Sequence, residues 1–306
     1  MPTLTVEQKY ADPAVVNFWQ NLAREGLQKA EQSMIQRYLP PTGHLLDVGC
    51  GTGRALLAMV SLGYRVTGID LSLPMLSAGR GLAANAQFSA ANLLNLPFTN
   101  RSFSAAFMFF GALQHIQGHN ERRQALAELG RIVEPEGILI LGLDNLAPTL
   151  SMYFYWLKQK FRLSPKTNGS HFLELEHQIV KPLFRERADK VLWQRRTNPI
   201  VWHYRGVLRA LRWRTWPGMV DRYRSLYGPT GGLQTGDVNV AQFSQPATPG
   251  QIYYHIYQAG EMIDDATTTG WQLLGWHCGS ELAAGEVYPA RIRAMDKQLF
   301  FAFRAK

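Results

Sequence analysis

The segment that most narrows what this chain can fold into is residues 44–53, HLLDVGCGTG. A short apolar run ends in an acid and passes with no spacer into glycine at every second position, and residues 54–62 (RALLAMVSL) continue with helix-forming composition. A strand that turns this sharply into a helix is the first unit of a βα repeat and commits the chain to a parallel sheet. Gly49, Gly51 and Gly53 let the turn be tight and let backbone approach a ligand, while the helix start offers unpaired N–H groups. A dinucleotide fingerprint needs its last glycine at position 54, which is Arg54. The spacing therefore favours a methionine-adenosyl ligand over a pyrophosphate. Asp70 closes the next apolar run, where its carboxylate can accept both hydroxyls of a ribose.

The rest of the chain repeats this rhythm and then loses it. Apolar runs at 44–48, 64–70, 87–91, 103–109 and 137–143 alternate with helix-length segments. Residues 13–38 read as one helix stopped by Pro40-Pro41, and 120–133 as a helix capped by Asn120 with Ala125, Leu129, Ile132 and Val133 on its apolar face. The pattern returns near 250, with a helix over 261–269 and strands over 271–278 and 298–304 joined by an irregular loop. The expected fold is a Rossmann-like, doubly wound α/β domain. Its sheet has seven mostly parallel strands with the last antiparallel, built from 1–147 and 251–306 and interrupted by a helical insertion, 148–250.

Charge marks the same boundary. The 306 residues carry a net charge of +9, yet residues 1–145 hold eleven Lys and Arg against eleven Asp and Glu, while 150–230 hold sixteen against five. The basicity belongs to the insertion and points there to a polyanionic partner or an anionic membrane surface. Two cysteines, Cys50 and Cys278, form no disulfide framework or metal-ligand cluster, so no metal is expected. The N-terminal stretch lacks the apolar core of a leader, and the longest strongly apolar run, 105–113, falls well short of the ~18 residues of a membrane span. A cytoplasmic location is the expectation.

Residues 45–54 and 68–72 (GIDLS) resemble the first and second motifs of the class I S-adenosylmethionine-dependent methyltransferases, in particular the type 11 methyltransferase domain. That resemblance implies S-adenosylmethionine as cofactor. It places Asp47, Gly49, Cys50, Gly51 and Gly53 around the methionine end, Asp70 and Leu71 at the ribose, Asn92 and Leu93 at the adenine, and Phe110 beside the cofactor. Asn92 stands where the family usually has Asp and can still accept the adenine amino group through its carbonyl oxygen. Ser104 replaces a common Asp, and Pro135-Glu136-Gly137 replaces the usual Pro-Gly-Gly.

For the acceptor, residues 112–116 (ALQHI) with 120–129, and residues 252–257 (IYYHIY), resemble the methyltransferases that esterify carboxymethyluridine at the tRNA wobble position. The implied acceptor is tRNA; a small molecule, lipid or quinone is the alternative, and a non-catalytic RNA-binding protein on a methyltransferase scaffold is a third. His115, just past the fourth strand, is the candidate to position or deprotonate the acceptor, since ligands of open α/β sheets bind at that edge. It could equally be a backbone-bonded histidine at a helix start. Tyr253 and His255 are weaker substrate-contact candidates, matched against a plain packed aromatic pair. Residues 202–216 (WHYRGVLRALRWRTW) read as a helix whose Arg205, Arg209 and Arg212 share one face. Such a face suits RNA phosphates, anionic lipid, or simply solvent around a capping subdomain.

Overall fold

The computed structural model describes residues 3–82, 86–145, 237–241, 251–288, 290–293, 296 and 298–306. The chain divides into two compact units, Met1–Leu146 with Gly236–Lys306, and Ala147–Thr235. The return to the main unit thus falls at Gly236 rather than 251, because Asp237–Ala241 forms a strand of that unit. Arg205, Arg209 and Arg212 lie outside the described residues.

The main unit begins with β1 (Thr3–Leu4), α1 (Val6–Tyr10), α2 (Pro13–Ala23) and α3 (Lys29–Tyr38). The single helix expected over 13–38 is two. Gly26 takes φ +70° between them, and Gln28 opens α3 with a capping box in which Glu31 accepts from the Gln28 backbone N–H. Then come β2 (His44–Val48), α4 (Arg54–Ser61), β3 (Arg65–Asp70), α5 (Leu73–Leu82), β4 (Gln87–Ala90) and β5 (Phe103–Met108). After these, a 3₁₀ turn (Ala112–His115) leads to α6 (His119–Ile132) and β6 (Val133–Asp144). The cap of α6 is Gly118, not Asn120, so the helix starts a turn-fraction earlier than expected. The remaining elements are β7 (Asp237–Ala241), β8 (Gln251–His255), α7 (Ala259–Thr268), β9 (Trp271–Cys278), α8 (Gly279–Ala284), α9 (Ala290–Arg293) and β10 (Gln298–Ala305). The segment expected as an irregular loop before the last strand therefore carries α8 and α9. Glu281 organises it, accepting from His277 Nδ1–H, Arg293 Nε–H and the Tyr288 backbone N–H.

Seven strands make one sheet in the order β4-β3-β2-β5-β6-β10-β9, and β1, β8 and β7 make a second of three. β2, β3, β4, β5 and β6 pair in parallel, and β10 runs antiparallel to both β6 and β9. The expected class and the antiparallel last strand are what the structure has.

Strand alternation sorts the core into two layers. Leu46, Val48, Ala106, Met108, Leu139, Leu141, Phe301 and Phe303 face α6 and α7 on one side. Leu45, Ala105, Phe107, Ile140, Phe300 and Ala302 face α3, α4 and α8 on the other. The apolar stripe read on α6 is buried at Ala125, Leu129 and Ile132, with Val133 already the first residue of β6 and Leu126 buried beside them, and the Trp271 indole donates to the Leu126 carbonyl to lock the strand β9 side onto it. With both faces covered, the open edge at the C-terminal ends of the parallel strands is where the fold leaves room for a ligand.

Candidate active site

The first wall of that edge is the turn after β2. Gly49, Gly51 and Gly53 have φ of +66°, +54° and +87°, backbone that L side chains rarely adopt. At Gly49 the constraint is also steric, since a Cβ would sit 2.5 Å from the Ala112 Cβ. Asp70, at the end of β3, accepts from the Gly51 N–H (2.8 Å) through one oxygen and from the Ser72 N–H (2.8 Å) through the other. The acid and the glycine turn are thus one hydrogen-bonded unit, and burial raises the Asp70 pKa against the pull of those N–H groups. Asp47 is almost fully buried, accepts from the Leu56 N–H (3.0 Å) at the start of α4, and is pushed up to about 7 by desolvation, with Arg54 opposing.

Arg54 closes one side of the turn. Its guanidinium pairs with buried Glu31 (2.7 Å), donates to the Gly26 carbonyl, and lies 4.3 Å over the Phe110 ring. Trp19 of α2 packs edge-on against Phe110, its carbonyl accepts from the Thr52 hydroxyl, and its indole N–H is buried without a partner among the described residues. After β4, Leu93 is buried, while exposed Asn92 uses its carbonyl oxygen on the Leu94 N–H (2.9 Å). Leu71 is largely exposed at the rim, and the Cys50 thiol is buried.

The second wall is assembled from distant segments. Gln114, fully buried, donates through Nε2 to the Asp144 and His255 carbonyls and accepts at Oε1 from the Asp144 N–H and the Tyr254 hydroxyl. One amide joins the 3₁₀ turn, the end of β6 and β8. His115, next in the chain, is part-buried between Tyr10 and Tyr254. Its Nδ1 is 3.1 Å from the Tyr253 carbonyl and its Nε2 is 3.1 Å from the Tyr10 hydroxyl. Burial pushes its pKa down to about 4, with Lys9 adding to the effect, so the ring is neutral at physiological pH. Tyr253 accepts from Arg122 (3.1 Å), and His255 is fully buried with Nε2 2.8 Å from Glu261 and its ring against Tyr257. The structure therefore brings His115 to the edge and uses Tyr253 through its carbonyl, while the His255 ring is turned to Glu261 and Tyr257. Tyr10, Trp19, Gln114 and Tyr254 also belong to this edge and were not singled out from the sequence. Gln114 and Tyr254 carried a signal there, as residues inside the ALQHI and IYYHIY segments.

Residues 45–137 match the family model described as a methyltransferase domain. An uncharacterised protein of Methanocaldococcus jannaschii is 30% identical over 139 residues, covering 45% of this chain and 52% of that one. A demethylmenaquinone methyltransferase of Renibacterium salmoninarum is 35% identical over 101 residues, covering 33% and 41%. The match spans about half the length of these curated relatives. Among solved structures, S-adenosylmethionine-dependent methyltransferases of Methanosarcina mazei (16% identical, TM-score 0.52, covering 89% of this chain and 96% of that one) and Clostridium acetobutylicum (10%, 0.53, 94% and 96%) share the architecture. The fold is that of a class I S-adenosylmethionine-dependent methyltransferase.

The residues at this edge fit S-adenosylmethionine, the cofactor that those two solved structures are named for. The glycine turn leaves side-chain-free backbone beside Asp70, whose acid suits ribose hydroxyls. The orphan Trp19 indole N–H is an unspent donor in the wall formed with Arg54 and Phe110. Among the described residues no cluster of ligating side chains could hold a metal, and no helix is long and apolar enough to cross a membrane.

Proposed function

We propose that this protein transfers a methyl group from S-adenosylmethionine to a small-molecule acceptor bound at the C-terminal edge of the main sheet. The observation that carries the reading is the hydrogen-bonded unit of Asp70 and the left-handed glycine turn, facing the Trp19–Phe110–Arg54 wall. When bound, the cofactor supplies an electrophilic methyl on a sulfonium. The chain's tasks are to hold it, to align the acceptor behind the methyl, and to keep water out. Two features support a small acceptor. The second wall sets aromatic rings and a neutral histidine around a single carboxylate, Asp144, and a relative named for demethylmenaquinone matches a third of the chain. RNA is the second reading, favoured by the concentration of basic residues between 150 and 230.

The test is calorimetry with S-adenosylhomocysteine, followed by transfer of labelled methyl from S-adenosylmethionine into fractionated cell extract. Expected are micromolar binding, loss of roughly 100-fold or more in affinity for Asp70→Ala because two charge-assisted hydrogen bonds go, and label in the small-molecule fraction. Label in RNA, abolished when Arg205, Arg209 and Arg212 are neutralised, would establish the second reading. No binding at all would remove the enzyme.

A further inference from the structure

The hydrogen bonds around His115 fix more than its position. A backbone carbonyl can only accept, so the 3.1 Å contact to the Tyr253 oxygen requires the proton on Nδ1. Nε2 is then a bare lone pair, and the Tyr10 hydroxyl 3.1 Å away must donate to it. That leaves the lone pairs of the Tyr10 oxygen as the outward face of the pair. Tyr10 ends α1, is held there by the Ser72 hydroxyl donating to its carbonyl (2.8 Å), and keeps partial exposure, as does His115. Ser72 lies beside Asp70, so the Tyr10 ring stands where the ribose side of the cradle meets the second wall.

The electrostatics of this spot narrow what it can receive. Asp70 from β3 and Asp144 from β6 both push the Tyr10 phenol upward, on top of burial, so an added anion is repelled. The cation on this side is Lys9 of α1, 5.2 Å from the Tyr10 ring centroid, and burial pushes its own pKa down to about 8. Tyr254 of β8, the remaining titratable neighbour, is a phenol within hydrogen-bond reach of Gln114 Oε1 and the Asp144 carboxylate, and burial and that carboxylate hold its pKa well up, so it stays neutral.

We propose that Tyr10 and His115 form a proton relay to the methyl acceptor, with Tyr10 touching the acceptor and His115 acting through it. The acceptor is then a neutral protic molecule rather than an ionised carboxylate. This deepens the methyltransferase reading and rests on it. In the step, the acceptor's X–H donates to the Tyr10 oxygen while a lone pair of the acceptor attacks the sulfonium methyl. The C–S bond breaks with its electron pair staying on sulfur, which becomes a neutral thioether, and the new bond to carbon forms. The proton on X passes to Tyr10 as the Tyr10 proton passes to His115 Nε2. The products are a neutral methylated acceptor and an imidazolium still bonded to the Tyr253 carbonyl, which returns its proton to water when the product leaves. A weak base suits this order of events. Methylation makes the X–H strongly acidic, and a base that is weak at rest keeps its lone pair available at neutral pH.

The experiment uses the full chain with labelled S-adenosylmethionine and a small-molecule extract, and treats the product with mild alkali. An ester of a carboxylate releases its methyl as volatile methanol; a methylated oxygen, nitrogen or carbon acceptor that lost a proton keeps it. The expected result is alkali-stable label. Tyr10→Phe and His115→Gln should each lower kcat roughly 100-fold, with S-adenosylhomocysteine affinity and thermal midpoint close to the wild type. The wild-type rate should be flat through neutrality and fall on the acid side as His115 protonates, an arm absent in His115→Gln. Nitrogen NMR of labelled histidine provides a readout that needs no acceptor: His115 should be the neutral Nδ1–H tautomer at pH 7, and its Nε2 resonance should move in Tyr10→Phe. Alkali-labile label, an Nε2–H tautomer, or variants with wild-type kcat would overturn the relay while leaving the methyltransferase standing. A wild-type protein that binds S-adenosylhomocysteine but transfers no label removes both.

Discussion

The two walls of the site are built in opposite ways. The centre of the cofactor wall is short in sequence: Asp47, the glycines, Arg54 and Asp70 fall within 24 residues on two successive strand-turn-helix units, and only Trp19 and Phe110 are added from farther away. The acceptor wall joins residues 10, 114–115, 144 and 253–255, which meet only because the 3₁₀ turn, the end of β6, β8 and α1 converge on one sheet edge. The first wall is centred on two consecutive βα units, and the second is a property of the whole tertiary fold. A domain of this kind can therefore keep its cofactor chemistry while its acceptor changes, since the two walls share few residues.

The largest effect that distinguishes them should come from Gln114. All four hydrogen-bonding positions of its amide are used, in the interior. Gln114→Leu keeps the volume but takes a hydrogen-bond partner from the Asp144 N–H, the Tyr254 hydroxyl and the Asp144 and His255 carbonyls, at about 1–3 kcal/mol for each buried group left short of a partner. We expect a loss of about 3–5 kcal/mol in urea unfolding. In protein that remains folded, S-adenosylhomocysteine affinity should change little. A stability loss under 1 kcal/mol, or a collapse of cofactor affinity, would show that the walls are not separate in this sense.

This contrast also explains what could be read in the sequence. The glycine turn with Asp70 was legible because its conformation dictates its residues: positive φ at Gly49, Gly51 and Gly53, and a carboxylate where a ribose goes. The sheet was legible because both its faces are buried, giving continuous apolar runs. His115 was found by its place after a strand, but its partner was not, because nothing near Tyr10 in the chain marks it; the contact spans 105 residues. The break at Gly26 was hidden because α2 and α3 continue the same apolar periodicity on either side of it. The helices α8 and α9 were missed because their order comes from Glu281 and its partners rather than from an amphipathic pattern.

The walls should also respond to pH with opposite signs. Asp47 is raised to about 7, so between its unfolded value near 4 and about 7 the folded state binds more protons than the unfolded one, and its contribution to stability falls as pH rises. His115 is lowered to about 4, so between about 4 and 6.5 the unfolded state binds more protons, and stability rises with pH. The wild-type profile over this window should be shallow because the two slopes oppose. Asp47→Asn should leave a profile that climbs toward neutrality and His115→Gln one that descends, each differing from wild type by about 2 kcal/mol across the window in denaturant titrations. Parallel profiles for the two variants would show that these groups do not set the pH response.

The smallest expected effect tests whether the acceptor wall depends on its strand as a whole. β6 carries Asp144 at its end and Glu136 near its start, and Glu136 holds φ +63°, left-handed backbone at the position where the resemblance to class I methyltransferases places a glycine. Glu136 is exposed and its ion pair with Arg304, at 3.2 Å, lies in solvent, so that pair adds little. Glu136→Gly relieves a conformational cost of about 1–2 kcal/mol and gives part of it back through the greater freedom of glycine in the unfolded chain. The net should be a gain of about 0.5–1 kcal/mol, read as a raised urea midpoint with an unchanged m-value. Because residues 134–137 bulge out of the ladder and, past Val133, β6 is paired with β5 and β10 only from Ile138 on, a gain at its start should be absorbed at the bulge and leave cofactor affinity and kcat at wild-type levels. A change in kcat without a change in cofactor affinity would mean that strain at Glu136 reaches Asp144 and Gln114 along the strand, and that the acceptor wall is tuned from the far edge of the sheet.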